Sequence, residues 1–143
     1  MDVRSLRDDE VEAVGAVLGL ARLYQGDGAY LVAWDGQVPL GHAHLTDGRP
    51  PELQDVEVRT EHRRRGVATQ LVEAAAATCA ARGYVALRIE VSVDNPGARA
   101  LYEGLGFSDT GASRRVVGTV QLRTGPIEVD DTLMALERSL VPA

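Results

Sequence analysis

A chain of 143 residues, 45% hydrophobic and 25% charged, has the size of one ordinary domain. It can bury roughly two thirds of the surface its unfolded form exposes, without a disulfide or metal staple. Its net charge of −6 repels nucleic-acid phosphates and anionic membranes, which excludes both as general partners and leaves a cationic partner compatible.

The start, Met1-Asp2-Val3-Arg4, has no apolar run behind a basic end, so no signal peptide is expected. No segment approaches the roughly 18 apolar residues of a membrane span. Asp2 to Leu6 reads as a short strand. Asp8 to Leu20 reads as a helix, with Asp8 and Asp9 in its first turn and Val11, Val14 and Leu18 at helical spacing. Gly26-Asp27-Gly28 is a loop. Ala29 to Trp34, the turn Asp35-Gly36 and Val38 to Leu45 form a hairpin, and Asp47 to Pro51 is a second turn.

Leu53 to Val58 is the next strand, and its imperfect alternation leaves room for a bulge. From Gly66 to about Arg82 a helix is expected, with Val67, Leu71, Ala74, Ala75 and Thr78 on its inner stripe and Gly83 as its stop. Cys79, the one cysteine, lies in this alanine-rich stretch. It can form no intrachain disulfide or multi-cysteine metal site and reads as a small buried apolar residue, a usage that suits a reducing cytoplasm. Val85 to Val91 is a strand. Asp94-Asn95-Pro96 opens a helix that ends near Gly104 or Gly106, and 114–122 and 131–137 are two final strands. The order β-α-β-β-β-α-β-α-β-β predicts an α/β fold: a mixed sheet flanked by helices, parallel between 53–58 and 85–91 through a right-handed crossover and antiparallel in its two hairpins.

The strand at 53–58 runs into Arg63-Arg64-Arg65-Gly66-Val67-Ala68 and then a helix. The first amides of a helix lack internal acceptors, and its dipole makes that end positive, so the segment is a candidate anion site. Gly66 allows close approach of a ligand, and the three arginines can neutralise phosphates. A solvated basic turn would look the same. The loop lacks the Gly-Lys-Ser/Thr of a nucleotide-binding P-loop and the three glycines of a dinucleotide fingerprint. In the later helix Asn95 and Tyr102 are seven residues apart, about two turns, and share a face just beyond the C-terminal end of a parallel strand, where open sheets bind ligands. Taken singly, Asn95 also reads as an N-cap and Tyr102 as a packing residue.

Together the segments resemble the GNAT superfamily of N-acetyltransferases. Val56-Glu57-Val58 with Arg63-Arg64-Arg65-Gly66-Val67-Ala68 is similar to its Arg/Gln-x-x-Gly-x-Gly/Ala motif. Asn95-Pro96-Gly97-Ala98-Arg99-Ala100-Leu101-Tyr102-Glu103-Gly104-Leu105-Gly106-Phe107 is similar to its Asn-x-x-Ala-x-x-Leu-Tyr-x-x-x-Gly-Phe hallmark. One departure is Ala68 in place of the commoner glycine.

The resemblance covers residues 1 to about 138 and implies a single N-acetyltransferase domain over 1–143, using acetyl-CoA as co-substrate and no metal. It implies that Val56 and Val58 bond the pantetheine arm with their backbones, that the strands around them splay to admit it, and that the amides of 64–69, from Arg64 through Gly66, Val67 and Ala68 to Thr69, cradle the pyrophosphate. It further places Asn95 beside the pantetheine and Tyr102 near the thioester sulfur.

The implied reaction is direct attack of an amine on the acetyl carbonyl. The amine must lose a proton, and the departing thiolate gains from a donor, for which Tyr102 is the candidate. Glu52 resembles a position that carries a water-linked base in some members. By alternation Asp55 and Glu57 share the other face, unless a bulge intervenes. The Val58 amide is the candidate for oxyanion stabilisation. His42 and His44 share a strand face and read either as pocket or as structural groups; Tyr30 and Trp34 read as core. A small-molecule amine, a protein N-terminus or a lysine could be the acceptor, and monomer and homodimer are both open. The rival is a catalytically silent acyl-CoA sensor of the same fold, against which the presence of both Asn95 and Tyr102 argues.

Overall fold

The computed structural model describes residues 1–20, 28–122 and 124–141. The expected loop residues Gly26 and Asp27 lie outside them. The strands are β1 (Asp2–Ser5), β2 (Ala29–Asp35), β3 (Val38–Leu45), β4 (Glu52–Val58), β5 (Ala86–Ser92), β6 (Ser108–Leu122) and β7 (Gly125–Ser139); the helices are α1 (Val11–Leu18), α2 (Val67–Ala81) and α3 (Pro96–Gly104). One seven-stranded sheet holds them in the order β1-β2-β3-β4-β5-β7-β6. Among the described residues only β4 and β5 are parallel, so the expected mixed sheet, hairpins and crossover are all present.

Strand alternation splits the apolar residues between two cores. Tyr30, Val32 and Trp34 of β2 pack with Val14 of α1 and Leu6 on one face. Leu31 and Ala33, with Ala43, Leu53, Leu87 and Ile89, meet Leu71, Val72 and Ala75 of α2 and Tyr102 of α3 on the other. The inner stripe of α2 sits further round than the sequence suggests. Val72, Ala76 and Cys79 are buried, whereas Ala74 and Thr78 are only half-buried and Thr78 bonds back to the Ala74 carbonyl at 2.8 Å. The apolar count of an alanine-rich helix barely distinguishes neighbouring stripes, and the larger Val72 decides which one faces the sheet.

The helix expected over Asp8–Leu20 opens with a 3₁₀ turn at Asp8–Glu10 and ends at Leu18 with Gly19 left-handed. The last two strands are longer than expected. The Ser/Asp/Gly-containing segment from Ser108 joins β7 through an irregularity between Asp109 and Ser113, with the Thr110 hydroxyl donating to the Ala135 carbonyl at 2.9 Å. Residues 125–130, which lie between the two expected strands, pair with β6 from Gly125 onward.

Two features position the site. First, β4 carries the bulge: His42 pairs with Glu57 and His44 with Gln54, so one extra residue is inserted in β4, and Asp55 takes φ 53°. The bulge resets the alternation. Val56 and Val58 turn to the α2 core, and Glu57 faces the side of His42. Second, β4 and β5 pair only at Glu52↔Arg88 and Leu53↔Ile89, and beyond Leu53 the two strands part.

Candidate active site

The gap between β4 and β5 follows from their pairing. On its β3 side, Arg59 donates to the Leu40 carbonyl at 2.9 Å. By antiparallel alternation residues 57 and 59 spend their backbone groups on β3, and 56 and 58 present theirs to the gap. The Val58 carbonyl takes the Arg63 Nε–H at 3.2 Å there. Across the gap, β5 has no β4 partner beyond Ile89. The sheet therefore contains an opening edged by main-chain donors and acceptors on both sides, a form suited to an extended amide-bearing ligand.

The loop at residues 63–69 presents donors that could hold an anion. Gly66, the N-cap of α2, has φ 75°, and Arg64 takes φ 63°, an uncommon conformation for a side chain this bulky. The first amide used by the helix is that of Gln70, donating to the Gly66 carbonyl at 3.0 Å. The amides of 64–69 have no acceptor among the described residues. They border a cleft of about 550 Å³ lined by Val56, Glu57, Val58, Arg63, Arg64, Gly66, Val67, Ala68, Thr69 and Leu101. Arg65 does not line this cleft. It turns away to His62 Nδ1 at 3.0 Å and toward Asp35 at 3.9 Å.

A second cleft of about 450 Å³ shares Val56 with the first in its lining. Glu52, Gln54 and Asp55 of β4, Glu90 and Ser92 of β5, Asn95, Ala98 and Tyr102 around α3, and Arg114, Val120, Leu122 and Leu133 of the last hairpin line it. Asn95, Ala98 and Tyr102 thus share the expected face. Asn95 is also the N-cap of α3: its Oδ1 accepts from the Ala98 amide at 3.0 Å, and Pro96 follows at the first turn.

Tyr102 is buried edge-on against Phe107, ring centroids 5.9 Å apart. Burial, and secondarily the negative charge of Glu57, pushes its hydroxyl pKa above the ordinary value. Glu52 accepts from the Gln54 amide at 2.6 Å and has Arg88 at 3.8 Å. Glu90 is gripped bidentately by Arg114, both bonds 2.8 Å, which lowers the carboxyl pKa.

His42 and His44 do not line either cleft. Both are buried, with the Tyr30 hydroxyl 2.5 Å from His42 Nδ1, and Gln54 Oε1 3.5 Å from His44 Nδ1. Tyr30 and Trp34 are core, and Cys79 is buried, its thiol pKa raised by burial. Sequence reading missed Gln54, Glu90, Arg114, Leu101, Val120, Leu122 and Leu133 as lining residues. Strand register brings most of these together, and no local motif signals it.

Residues 4–107 match the model of the acetyltransferase (GNAT) family. No curated protein matches the chain significantly. Among solved structures, the ribosomal-protein-S18-alanine N-acetyltransferase of Escherichia coli superposes with a TM-score of 0.74 at 19% identity, covering 99% of this chain and 95% of that one. The spermidine/spermine N-acetyltransferase SpeG of Vibrio cholerae gives 0.71 at 16%, covering 97% and 92%. The yncA protein of Salmonella typhimurium, solved with its cofactor acetyl-CoA, gives 0.69 at 18%, covering 100% and 95%. At these identities the likeness establishes a shared fold, and the family match over most of the chain adds the chemistry. The chain belongs to the GNAT acetyltransferase family, enzymes that take their acetyl group from acetyl-CoA.

Proposed function

We propose that this protein is a single-domain N-acetyltransferase that moves an acetyl group from acetyl-CoA to a primary amine by direct attack. The observation that supports the reading is a pair of clefts that share Val56 in their linings, beside the gap where β4 and β5 part. Two proteins of like fold bear names that point to amine acceptors, a ribosomal-protein alanine and spermidine/spermine.

The residues present fit the donor. The free amides of 64–69, with Arg63 and Arg64, would hold its pyrophosphate, and the backbones of Val56 and Val58 its pantetheine arm, with Asn95 alongside. Acetyl-CoA bound there supplies the thioester carbonyl that the acceptor amine attacks. Glu52, held by Gln54, takes the amine's proton through water. The Val58 N–H, free at the gap, stabilises charge developing on the carbonyl oxygen. Tyr102, kept protonated by burial, delivers a proton to the departing sulfur.

Isothermal titration with acetyl-CoA tests the donor site. Wild type is expected to bind in the micromolar range. Gly66→Glu, which sets a carboxylate at the mouth of the loop, is expected to lose binding. Gly66→Ala carries the same left-handed backbone without the charge and is expected to keep it. Absence of binding by wild type overturns the reading. Equal affinity of Gly66→Glu and wild type overturns the loop's role.

A further inference from the structure

In the register of the sheet Tyr30 lies opposite His44, and His44 opposite Gln54. Glu52 lies opposite Arg88, and Arg88 opposite Glu137. Directly opposed residues share a face, and so do residues two apart on one strand. These side chains therefore stand on the face that carries α1, away from the core that takes Leu53, Leu87 and Ile89. A polar row crosses the sheet from β2 to β7. It starts at the buried Tyr30 and His44 and passes Glu52, which lines the second cleft.

The bonds along the row fix its sense. An ionised Glu52 only accepts, and the group 2.6 Å from its Oε2 is the Gln54 amide nitrogen, which donates. The amide oxygen is thereby turned the other way. It lies 3.5 Å from His44 Nδ1, at the long limit of a hydrogen bond. An amide oxygen only accepts, so this contact requires the hydrogen on Nδ1. The other oxygen of Glu52 has Arg88 Nε at 3.8 Å. Both oxygens of the carboxylate are thus engaged, one by an amide and one by a guanidinium.

The links differ in mobility. His44 is only 5% exposed, and its ring lies by that of Tyr30, centroids 6.3 Å apart and 29° between planes. Gln54 is exposed and has rotamer freedom to lose. A fixed donor on its far side selects the amide orientation that serves Glu52. His42 stands outside this chain. Its Nδ1 meets the Tyr30 hydroxyl at 2.5 Å, and it lies opposite Glu57, beyond the bulge.

Resting on the acetyltransferase reading, in which Glu52 takes the amine proton through water, we propose that His44 is a positioning residue for Glu52. With its hydrogen on Nδ1 it holds the Gln54 amide oxygen, and the amide nitrogen so presented holds Glu52 where it lines the cleft. His44 touches neither reactant. Its contribution is to orientation, so its loss lowers kcat and leaves acetyl-CoA affinity alone.

Two measurements test the proposal. A proton–nitrogen correlation spectrum of histidine-labelled protein reads the tautomer with no acceptor needed, and a chain with three histidines is readily assigned. The neutral His44 ring is expected to carry its hydrogen on Nδ1, and Gln54→Leu is expected to shift it toward Nε2. A hydrogen on Nε2 in wild type, or a His44 signal indifferent to Gln54→Leu, overturns the proposal.

The second measurement is thiol release at saturating acetyl-CoA, with butylamine, spermidine and an alanyl peptide as acceptors. His44→Phe keeps the ring's shape and removes the donor. His44→Asn keeps a donor near the position of Nδ1 and gives up the shape. Per folded molecule, His44→Phe is expected to lower kcat about tenfold and His44→Asn by less than about threefold, with acetyl-CoA affinity unchanged in titration. Once Glu52→Gln has been made, His44→Phe should lower the rate no further, because members of one chain are not additive. A loss in His44→Asn as large as in His44→Phe, or the full loss in both backgrounds, marks a packing role and overturns the proposal. Where His44→Phe fails to fold, Gln54→Leu at its exposed position runs the same cycle. Acetyl-CoA binding without turnover of any of the amines overturns the role of Glu52 and this proposal with it. Failure to bind acetyl-CoA overturns the acetyltransferase reading itself.

Discussion

Tyr102 and Glu52 divide the proposed chemistry, and each has a separable signature. Removing the Tyr102 hydroxyl with Tyr102→Phe is expected to lower kcat by about 10²-fold, the lower end for a positioned acid, with little change in acetyl-CoA affinity. Because the folded pKa is raised above the ordinary 10, the protonated form persists at every pH up to that value. The alkaline limb of a kcat–pH profile due to Tyr102 is therefore expected above pH 10. A limb that disappears in the phenylalanine variant and lies well below 10 would contradict the assignment. Glu52→Gln is expected to lower kcat by about 10²-fold while leaving acetyl-CoA affinity unchanged. Gly41 illustrates a residue fixed by contact alone. A Cβ there would stand 2.6 Å from the Glu57 carbonyl oxygen and 3.3 Å from Val67 Cγ1. Gly41→Ala should destabilise the fold by about 1–3 kcal/mol in chemical denaturation, since a backbone oxygen in β4 must move to admit it.

At the scale of elements, the N-terminal turn is stapled by charge. Glu10 accepts from Arg4 at 2.6 and 2.7 Å and from the Arg7 amide at 3.1 Å. Above all through the Arg4 bonds, its carboxyl is held at about 2, below the ordinary 4.5. With the folded value depressed, the stabilisation is whole above the unfolded value and drains away as pH falls toward about 2. Acid unfolding followed by circular dichroism should therefore show a slope in that window which Glu10→Gln removes.

The same scale shows what was legible in the chain. Helices α2 and α3 announce themselves through Gly66, Gly83, Asn95 and Pro96, because caps and stops are local chemistry. The bulge in β4 shows only as broken alternation, and its consequence, Val56 and Val58 facing α2 while Glu57 faces β3's histidines, depends on which residues of β3 lie opposite. The start of β6 is hidden for a similar reason. Ser108 to Ser113 has the composition of a loop, and tertiary pairing with β7 overrides it.

For the molecule as a whole, the segments proposed to hold the donor, the arginine loop and the Asn95–Tyr102 helix, are contiguous motifs in the chain. The lining of the second cleft is not. Glu90, Arg114, Val120 and Leu133 come from three strands, and only their register makes them neighbours. His42 and His44 show the converse: alternation places them on one face, and only packing shows that this part of the face is closed.

The parted strands carry a further consequence. On the proposed reading donor and acceptor occupy separate clefts that share Val56 beside the gap, so neither reactant needs to leave before the other arrives. The sole thiol in the chain lies sealed within α2 and cannot serve as a way station for the acetyl group. Initial-rate plots at varied concentrations of both reactants should therefore intersect, not run parallel. A single molecule that joins coenzyme A to the acceptor through the acetyl bridge should bind more tightly than either half, because it occupies both clefts at once.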